Sequence, residues 1–469
     1  MNKSSFREYD IRGVADRDLT DDVAEGIGRA FASRLAEGRE SAAPLRICVG
    51  RDCRLSGPRL HEALVRGLTR QGVHVIDIGV GPTPYLYFSV HHTNADGGIM
   101  ITGSHNPGDE NGFKMMIGKA SFFGAEIIAL RERIEASNFA PEKSGSIESI
   151  NLHEPYVDAL VKDIRLSGKG VACVLDAGNG SGGPLGVQAL ERAGVKVDPL
   201  YCDMDGTFPN HHPDPTVPKN LAALIARVKE TGARVGLAYD GDADRLGAVD
   251  ELGNIIWGDK LMILFSRALL KVHPGASVIG EVKCSQTLYD DIAKNGGNPI
   301  LWKTGHSLIK AKMKESGALL AGEMSGHLFF ADRWFGFDDA LYAGLRLLEI
   351  LAGDSRSLSE MLADVPATFT TPELRVDCPD AIKFDVVAKV TAHYQAKGNP
   401  VVAIDGARIS FPSKTISNGV AAPSWGLVRA SNTGPILVLR FEAGSEEELA
   451  ANRAEVEAIV AEARAAAAS

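Results

Sequence analysis

Short continuous apolar runs alternate along this chain with stretches whose apolar residues recur at three- and four-residue steps. The runs "RICVG", "GIMIT", "ACVLD", "VGLAY", "SVIGEV" and "GALLAG" are continuous apolar runs, rather than alternating with polar residues. That pattern suits strands covered on both faces, as in α/β layers. The intervening "RLHEALVRGLTRQ" and "GPLGVQALERAG" follow the helical step. One order recurs three times: a glycine, a strand, a helix, and a later strand ending in a polar glycine loop. The third member of each set is "DGGIMITGSHNP", "ARVGLAYDGDADR" and "GALLAGEMSGH". The repeat lies in pattern rather than identity. From about residue 367 the character changes to "TFTTPELRVDC", "VVAIDGARISF" and "WGLVRASNTGPILVLRFEA", which read as strands. A terminal "SEEELAANRAEVEAIVAEARAAAA" reads as a serine-capped amphipathic helix. The expected fold is α/β: three similar mixed-sheet α/β domains and a smaller C-terminal α+β domain around a central cleft. Expected boundaries are 1–149, 150–254, 255–367 and 368–469. Ligands of open α/β sheets gather beyond the carboxyl ends of strands, where the glycine loops fall.

Those loops carry the chemistry. In "YDGDADR", Asp240, Asp242 and Asp244 crowd within five residues and call for a compensating cation. Hard oxygen donors at that spacing suit Mg²⁺ or Ca²⁺. An EF-hand is the rival reading, with Glu251 at its twelfth position, but Arg245 stands where that loop needs glycine and strands flank it. "TGSHNPGDENGFK" lifts Ser104 from a strand end, with His105 and Lys114 nearby. "GEMSGH" offers Glu323, Ser325 and His327, which could read sugar hydroxyls or simply face solvent. "VRASNTGP" lines up Arg429, Ser431, Asn432 and Thr433 as anion donors; an ordinary hairpin turn would look similar. Lys283 at a buried strand end needs a partner, and His306 sits in a glycine turn. No G-x-x-x-x-G-K-[ST] nucleotide loop is present. If phosphate moves without a nucleotide, the protein must store it, and Ser104 is the candidate store.

Composition narrows the partners. At 469 residues the chain exceeds one core, at about 100–200 residues per domain. A net charge of -10 gives no general basic footprint for nucleic acid or an anionic membrane. Cysteines at 48, 53, 173, 202, 284 and 378 form no Cys-x-x-Cys pair, so reduced thiols in a cytoplasmic protein are expected. No apolar run approaches a membrane span.

Eight motifs in order, "FREYDIRG", "VGRDCRLSG", "TGSHNPGDENGFK", "DAGNGSGG", "DGTFPNHHPDPTVPKNL", "DGDADR", "GEMSGHLFFADRWFGFDDA" and "RASNTGP", resemble the α-D-phosphohexomutase family. The bacterial phosphomannomutase/phosphoglucomutase branch is the most similar. The resemblance covers essentially the whole chain. It implies Ser104 as the phosphoserine and Asp240, Asp242 and Asp244 as Mg²⁺ ligands, with the Ser104 phosphate as the fourth. It implies Glu323 and Ser325 at the sugar, and Arg429, Ser431, Asn432 and Thr433 at the non-reacting phosphate. Tyr9, Arg12, Lys114, Arg245, Lys283, His306 and His327 match active-site positions, with Lys114, His306 and Arg12 as the acid/base candidates. The implied reaction moves phosphate between O1 and O6 of mannose and glucose phosphates through a hexose 1,6-bisphosphate, which also serves as activator. A phosphoglucosamine mutase, a narrower phosphoglucomutase, a phosphatase and a non-catalytic sugar-phosphate binder are the alternatives. A monomer or weak dimer acting on small-molecule hexose phosphates is expected. Two departures stand out: Ala243 where the family often has glycine, and Gly434 where a second threonine is frequent. "PSKTISNGVAAPSWG" is longer than the family's usual turn, and a flexible loop is expected there.

Overall fold

The computed structural model describes residues 1–469 except 42, 167–170, 418, 433 and 469. Four sheets follow one another along the chain. The first runs Ile11–Val14, Glu110–Ile117, Gly97–Ile101, Arg46–Arg51, His74–Val80, Ser146–Ser149, with Ala120–Ser121 beside Glu110–Ile117. Its Arg46–Arg51 strand pairs in parallel with both neighbours, whereas Gly97–Ile101 meets Glu110–Ile117 antiparallel. The second sheet has the order Ile255–Ile256, Leu246–Asp250, Val235–Tyr239, Ala172–Asp176, Lys196–Leu200. The third is Asn298–Trp302, Ser277–Glu281, Leu320–Gly322, Leu328–Phe330. Each has parallel strands and then one antiparallel return, as the apolar runs imply for a sheet covered on both faces.

The fourth sheet is antiparallel, built on the long strands Trp425–Ala430 and Ile436–Ala443. Two helices cover it. Glu446–Ala468 begins with the Ser445 hydroxyl accepting from the Glu448 N–H. Lys383–Lys397 is a helix that the hydrophobic pattern had not singled out. The stretch expected to be a flexible loop, in which Asn418 lies outside the described residues, contains a short ribbon: Ile416–Ser417 pairs with Val420–Ala421. Glu448 holds its base by accepting from Lys414 N–H and Ser413 Oγ.

The three α/β units share one continuous apolar core, whereas the fourth keeps its own. Where the three meet, the Trp334 ring stacks on Tyr342 at 4.5 Å and the Tyr156 hydroxyl donates to Asp339 Oδ2 at 2.8 Å. Val282, Trp425 and Leu427 link the third unit to the fourth. Beside them Arg440 Nη1 donates to the Lys283 carbonyl, and the Ser285 hydroxyl to buried Glu442. The six cysteines are free thiols. Among the described residues, no helix is long and apolar enough to cross a membrane.

In the first unit, helices Asp21–Ala36 and Gly57–Thr69 touch backbone to backbone. A Cβ on Gly67 would lie 2.2 Å from the Glu25 carbonyl oxygen, and one on Gly28 2.5 Å from that of Leu64. Backbone cannot retreat as a side chain would, so the helices would have to part. Gly67→Ala should destabilise the protein by about 1–3 kcal/mol, read as a lower thermal midpoint.

Candidate active site

All four chemical loops occupy one topological position: each joins a strand to its antiparallel neighbour. Residues 102–109 link Gly97–Ile101 to Glu110–Ile117, and 240–245 link Val235–Tyr239 to Leu246–Asp250. Residues 323–327 link Leu320–Gly322 to Leu328–Phe330, and 431–435 link Trp425–Ala430 to Ile436–Ala443. Each strand end is pinned by the sheet, so each loop is presented from a rigid base.

Ser104 is almost fully buried and has a left-handed backbone, φ +49°. That conformation is costly for a residue with a Cβ. The Thr102 hydroxyl accepts from the Ser104 N–H at 2.8 Å. The Ser104 hydroxyl donates to Asp240 Oδ2 at 2.8 Å and lies 3.1 Å from His105 Nδ1. Burial pushes the His105 imidazole well below its ordinary pKa, aided by Arg245 and Arg12.

Asp240, Asp242 and Asp244 have no solvent exposure, and one oxygen from each lies within 4.8 Å of the others. Lys114 Nζ donates to Asp242 Oδ2 at 2.7 Å and also to Asp244 Oδ2. The Thr83 and Thr102 hydroxyls donate to the same Asp242 oxygen. Burial opposes ionisation of Asp242, but Lys114 prevails and holds this carboxyl below its usual range. Burial, then Asp244 and Asp242, pushes Asp240 well above it. Asp242 Oδ1 and Asp244 Oδ1 are buried and without a hydrogen-bond partner. Hard oxygen donors, two orphaned, fit a divalent cation. Ala243 between them has φ +53°, a strain that glycine would not carry.

Arg245 Nε donates to His327 Nε2 at 2.9 Å, which fixes the His327 proton on Nδ1, 2.9 Å from Asp338 Oδ2. The His306 ring stacks on His327 at 5.5 Å. Burial, then Lys310, pushes His306 well below its ordinary pKa. Arg12 is forked onto Asp10 Oδ2 through Nε and Nη2 at 2.9 and 2.8 Å.

The sugar-loop residues stand across from this cluster. Glu323 accepts from the Gly305 N–H at 2.8 Å and from the Ser325 hydroxyl at 3.0 Å. Lys283 has the partner its position required: Nζ donates to Glu373 Oε2 at 3.3 Å. Arg429 lies 3.1 Å from Asp405, which also accepts from the Thr304 N–H. The Tyr9 hydroxyl donates to the Thr304 carbonyl at 2.8 Å and accepts from Asn432 Nδ2 at 2.7 Å, joining the first, third and fourth units. The Ser431 N–H donates to the Ile436 carbonyl at 3.0 Å. Thr433 lies outside the described residues. Sequence reasoning passed over Thr83, Thr102, Asp338, Glu373 and Asp405. All but Thr83 sat in a quoted stretch, yet none was singled out, because a supporting carboxylate or hydroxyl has no local signature.

Residues 3–141, 154–253, 257–369 and 373–459 match, in order, the phosphoglucomutase/phosphomannomutase alpha/beta/alpha domains I, II and III and the C-terminal domain. The chain belongs to this family. It is 46% identical over 447 residues to a Pseudomonas aeruginosa protein named phosphomannomutase/phosphoglucomutase, covering 95% of this chain and 93% of that protein. A Neisseria meningitidis phosphoglucomutase is 47% identical over 444 residues, covering 94% and 93%. A solved phosphoglucomutase/phosphomannomutase family protein from Burkholderia thailandensis superposes with a TM-score of 0.90 at 44% identity, over 99% of this chain and 98% of that one. The family's four-domain arrangement is thus the frame on which the loops converge.

Removing Lys114 would leave two buried carboxylates without their ammonium. Lys114→Met should cost about 3–5 kcal/mol in metal-free protein. A divalent cation should restore much of it. Thermal unfolding in EDTA and in excess MgCl₂ reads both effects.

Proposed function

We propose that this phosphoglucomutase/phosphomannomutase family member interconverts hexose 1-phosphates and hexose 6-phosphates, accepting both glucose and mannose. The observation that carries the proposal is Ser104: a nearly buried hydroxyl on a left-handed backbone, hydrogen-bonded to one of three clustered aspartates. A serine serving only as a turn residue needs neither that strain nor that cluster.

In the forward half-reaction, O6 of a hexose 1-phosphate attacks phospho-Ser104. The bond from phosphorus to Oγ breaks, the bond to O6 forms, the O6 proton passes to a base, and the departing Ser104 oxygen takes up a proton, for which Lys114 is the candidate acid. His306, kept neutral by burial, suits the role of base. Lys114 keeps its charge against two carboxylates. Arg12 remains a guanidinium at any relevant pH and contributes charge rather than proton transfer. Asp240, Asp242 and Asp244, with the Ser104 phosphate, would hold Mg²⁺, which neutralises phosphate charge as the group transfers. The bisphosphate then turns over, and its O1 phosphoryl returns to Ser104. Hexose 1,6-bisphosphate would therefore also prime dephosphorylated protein.

The opposite wall holds the sugar. Glu323 and Ser325 face its hydroxyls, with Lys283 and His327 beside them. Arg245 and His327 meet between the metal loop and the sugar loop, where they can grip the reacting end. Arg429, Ser431, Asn432, Thr433 and Tyr9 hold the non-reacting phosphate. Nothing among these contacts reads C2, where glucose and mannose differ.

Ser104→Ala should fold yet lose nearly all turnover, and active protein should carry about 80 Da on Ser104, one phosphoryl group. Glucose and mannose substrates should agree within roughly tenfold in kcat/KM, with no phosphate released, and Glu323→Ala should impair both alike. Parallel kinetics and intact mass check these outcomes. Full activity of Ser104→Ala, or stoichiometric release of inorganic phosphate, would sink the reading.

A further inference from the structure

Behind the Ser104 loop lies an ion pair that the chemistry above does not use. Arg54 has no solvent exposure, and its guanidinium collects the carbonyls of the loop. Nη2 donates to Ser104 O at 2.9 Å and Asn106 O at 2.7 Å. Nη1 donates to Glu110 O at 2.8 Å and to Pro107 O. The counter-ion is Asp52, also buried, whose Oδ2 lies 3.3 Å from Arg54 Nε. Asp52 reaches the front of the same loop: Oδ2 accepts from the Gly103 N–H at 3.1 Å and Oδ1 from the Arg54 N–H at 2.9 Å. The Asp52 N–H donates to Ile101 O, anchoring the pair to the end of the Gly97–Ile101 strand. Packing leaves no slack, since a Cβ on Gly103 would fall 2.3 Å from the guanidinium carbon. From the second unit, the Phe208 ring lies 5.2 Å from the guanidinium carbon.

We infer that Asp52 and Arg54 are positioning residues that hold Ser104 in its left-handed conformation for phosphoryl transfer. The inference deepens the reading of Ser104 as phosphoryl carrier and rests on it. A left-handed serine relaxes toward ordinary backbone unless its surroundings over-determine it. Four carbonyls held by one planar fork, with the preceding amide held by its counter-ion, supply that constraint. The arrangement also turns four carbonyl oxygens away from a cleft that already holds three aspartates and must accept a phosphate. A guanidinium can do this because it carries five donors in a fixed plane, whereas an ammonium has three on a flexible stem. The two residues touch neither substrate nor metal ligand side chains, so their effect should fall on the transfer step rather than on sugar binding.

The test uses the full chain and the variants Arg54→Lys and Asp52→Asn. Measured together are kcat, KM, the rate at which glucose 1,6-bisphosphate phosphorylates Ser104, the thermal midpoint, and hydrogen exchange over residues 103–110. Misplacing a reacting group by about 1 Å costs on the order of 100-fold. Arg54→Lys should therefore lose about that much in both kcat and phosphorylation rate, with KM within about threefold and exchange raised only in the loop. Asp52→Asn must turn its NH₂ toward one of the two N–H donors, and should show the same split at smaller size, about tenfold. If Arg54→Lys does not fold, Asp52→Asn decides alone. A folded variant with kcat within about threefold of the parent and unchanged loop exchange would overturn the inference. So would a loss carried by KM. Absence of phosphate transfer to Ser104 in the parent protein would instead strike the underlying reading.

Discussion

Three carboxylates without solvent exposure share one pocket between the first two units, and a single ammonium, from Lys114, lies against two of them. Charge buried this densely survives only where every neighbour is arranged to hold it. The surrounding loops follow from that demand. Thr83 and Thr102 bring hydroxyls from the first unit, and the Asp244 and Arg245 amides point back at Asp240. The Ser104 hydroxyl completes the Asp240 carboxyl. The pocket is therefore a joint between two units as well as a centre of reactivity. The carbonyl edge of the metal loop at Asp242 even receives the Thr83 N–H from across that joint.

The same economy appears at the other wall. Buried Glu281 accepts from the Lys283 N–H, the Thr304 hydroxyl and the Met324 N–H, tying together three loops at the sugar side. The cations of this wall are paired: Lys283 with Glu373 and Arg429 with Asp405. These carboxylates keep both buried cations from being left unpaired. The fourth unit has its own core and meets the others through a small apolar cluster, Val282 with Trp425 and Leu427, and through polar contacts at Tyr9, Thr304 and Asn432. That junction is smaller than the apolar core shared by the first three.

The order of the sheets and the strand-end positions of Ser104, the three aspartates and Glu323 were legible in the chain. Each rests on local rules: a buried strand reads as an apolar run, and a loop that bears chemistry must follow it. The ribbon at Ile416–Ala421 was not legible, because its anchor, Glu448, lies on a distant helix. Helix Lys383–Lys397 escaped the hydrophobic pattern because few of its residues are buried: Lys383, Val386, Val390 and Tyr394.

What the sequence determined by itself was an inventory: which hydroxyl, which carboxylates and which cations stand at strand ends. The tertiary structure decided protonation and pairing, since those depend on burial and on neighbours far away in the chain. Asp242 is held ionised by a lysine 128 positions away, and the Ser104 hydroxyl is aimed by a carboxylate 136 positions away. His306 is neutral because of burial, a property no single residue carries in its letter. The left-handed turn at Ser104 is likewise a tertiary product. Serine does not choose that conformation; the sheet end before it and the buried guanidinium behind it leave it no other.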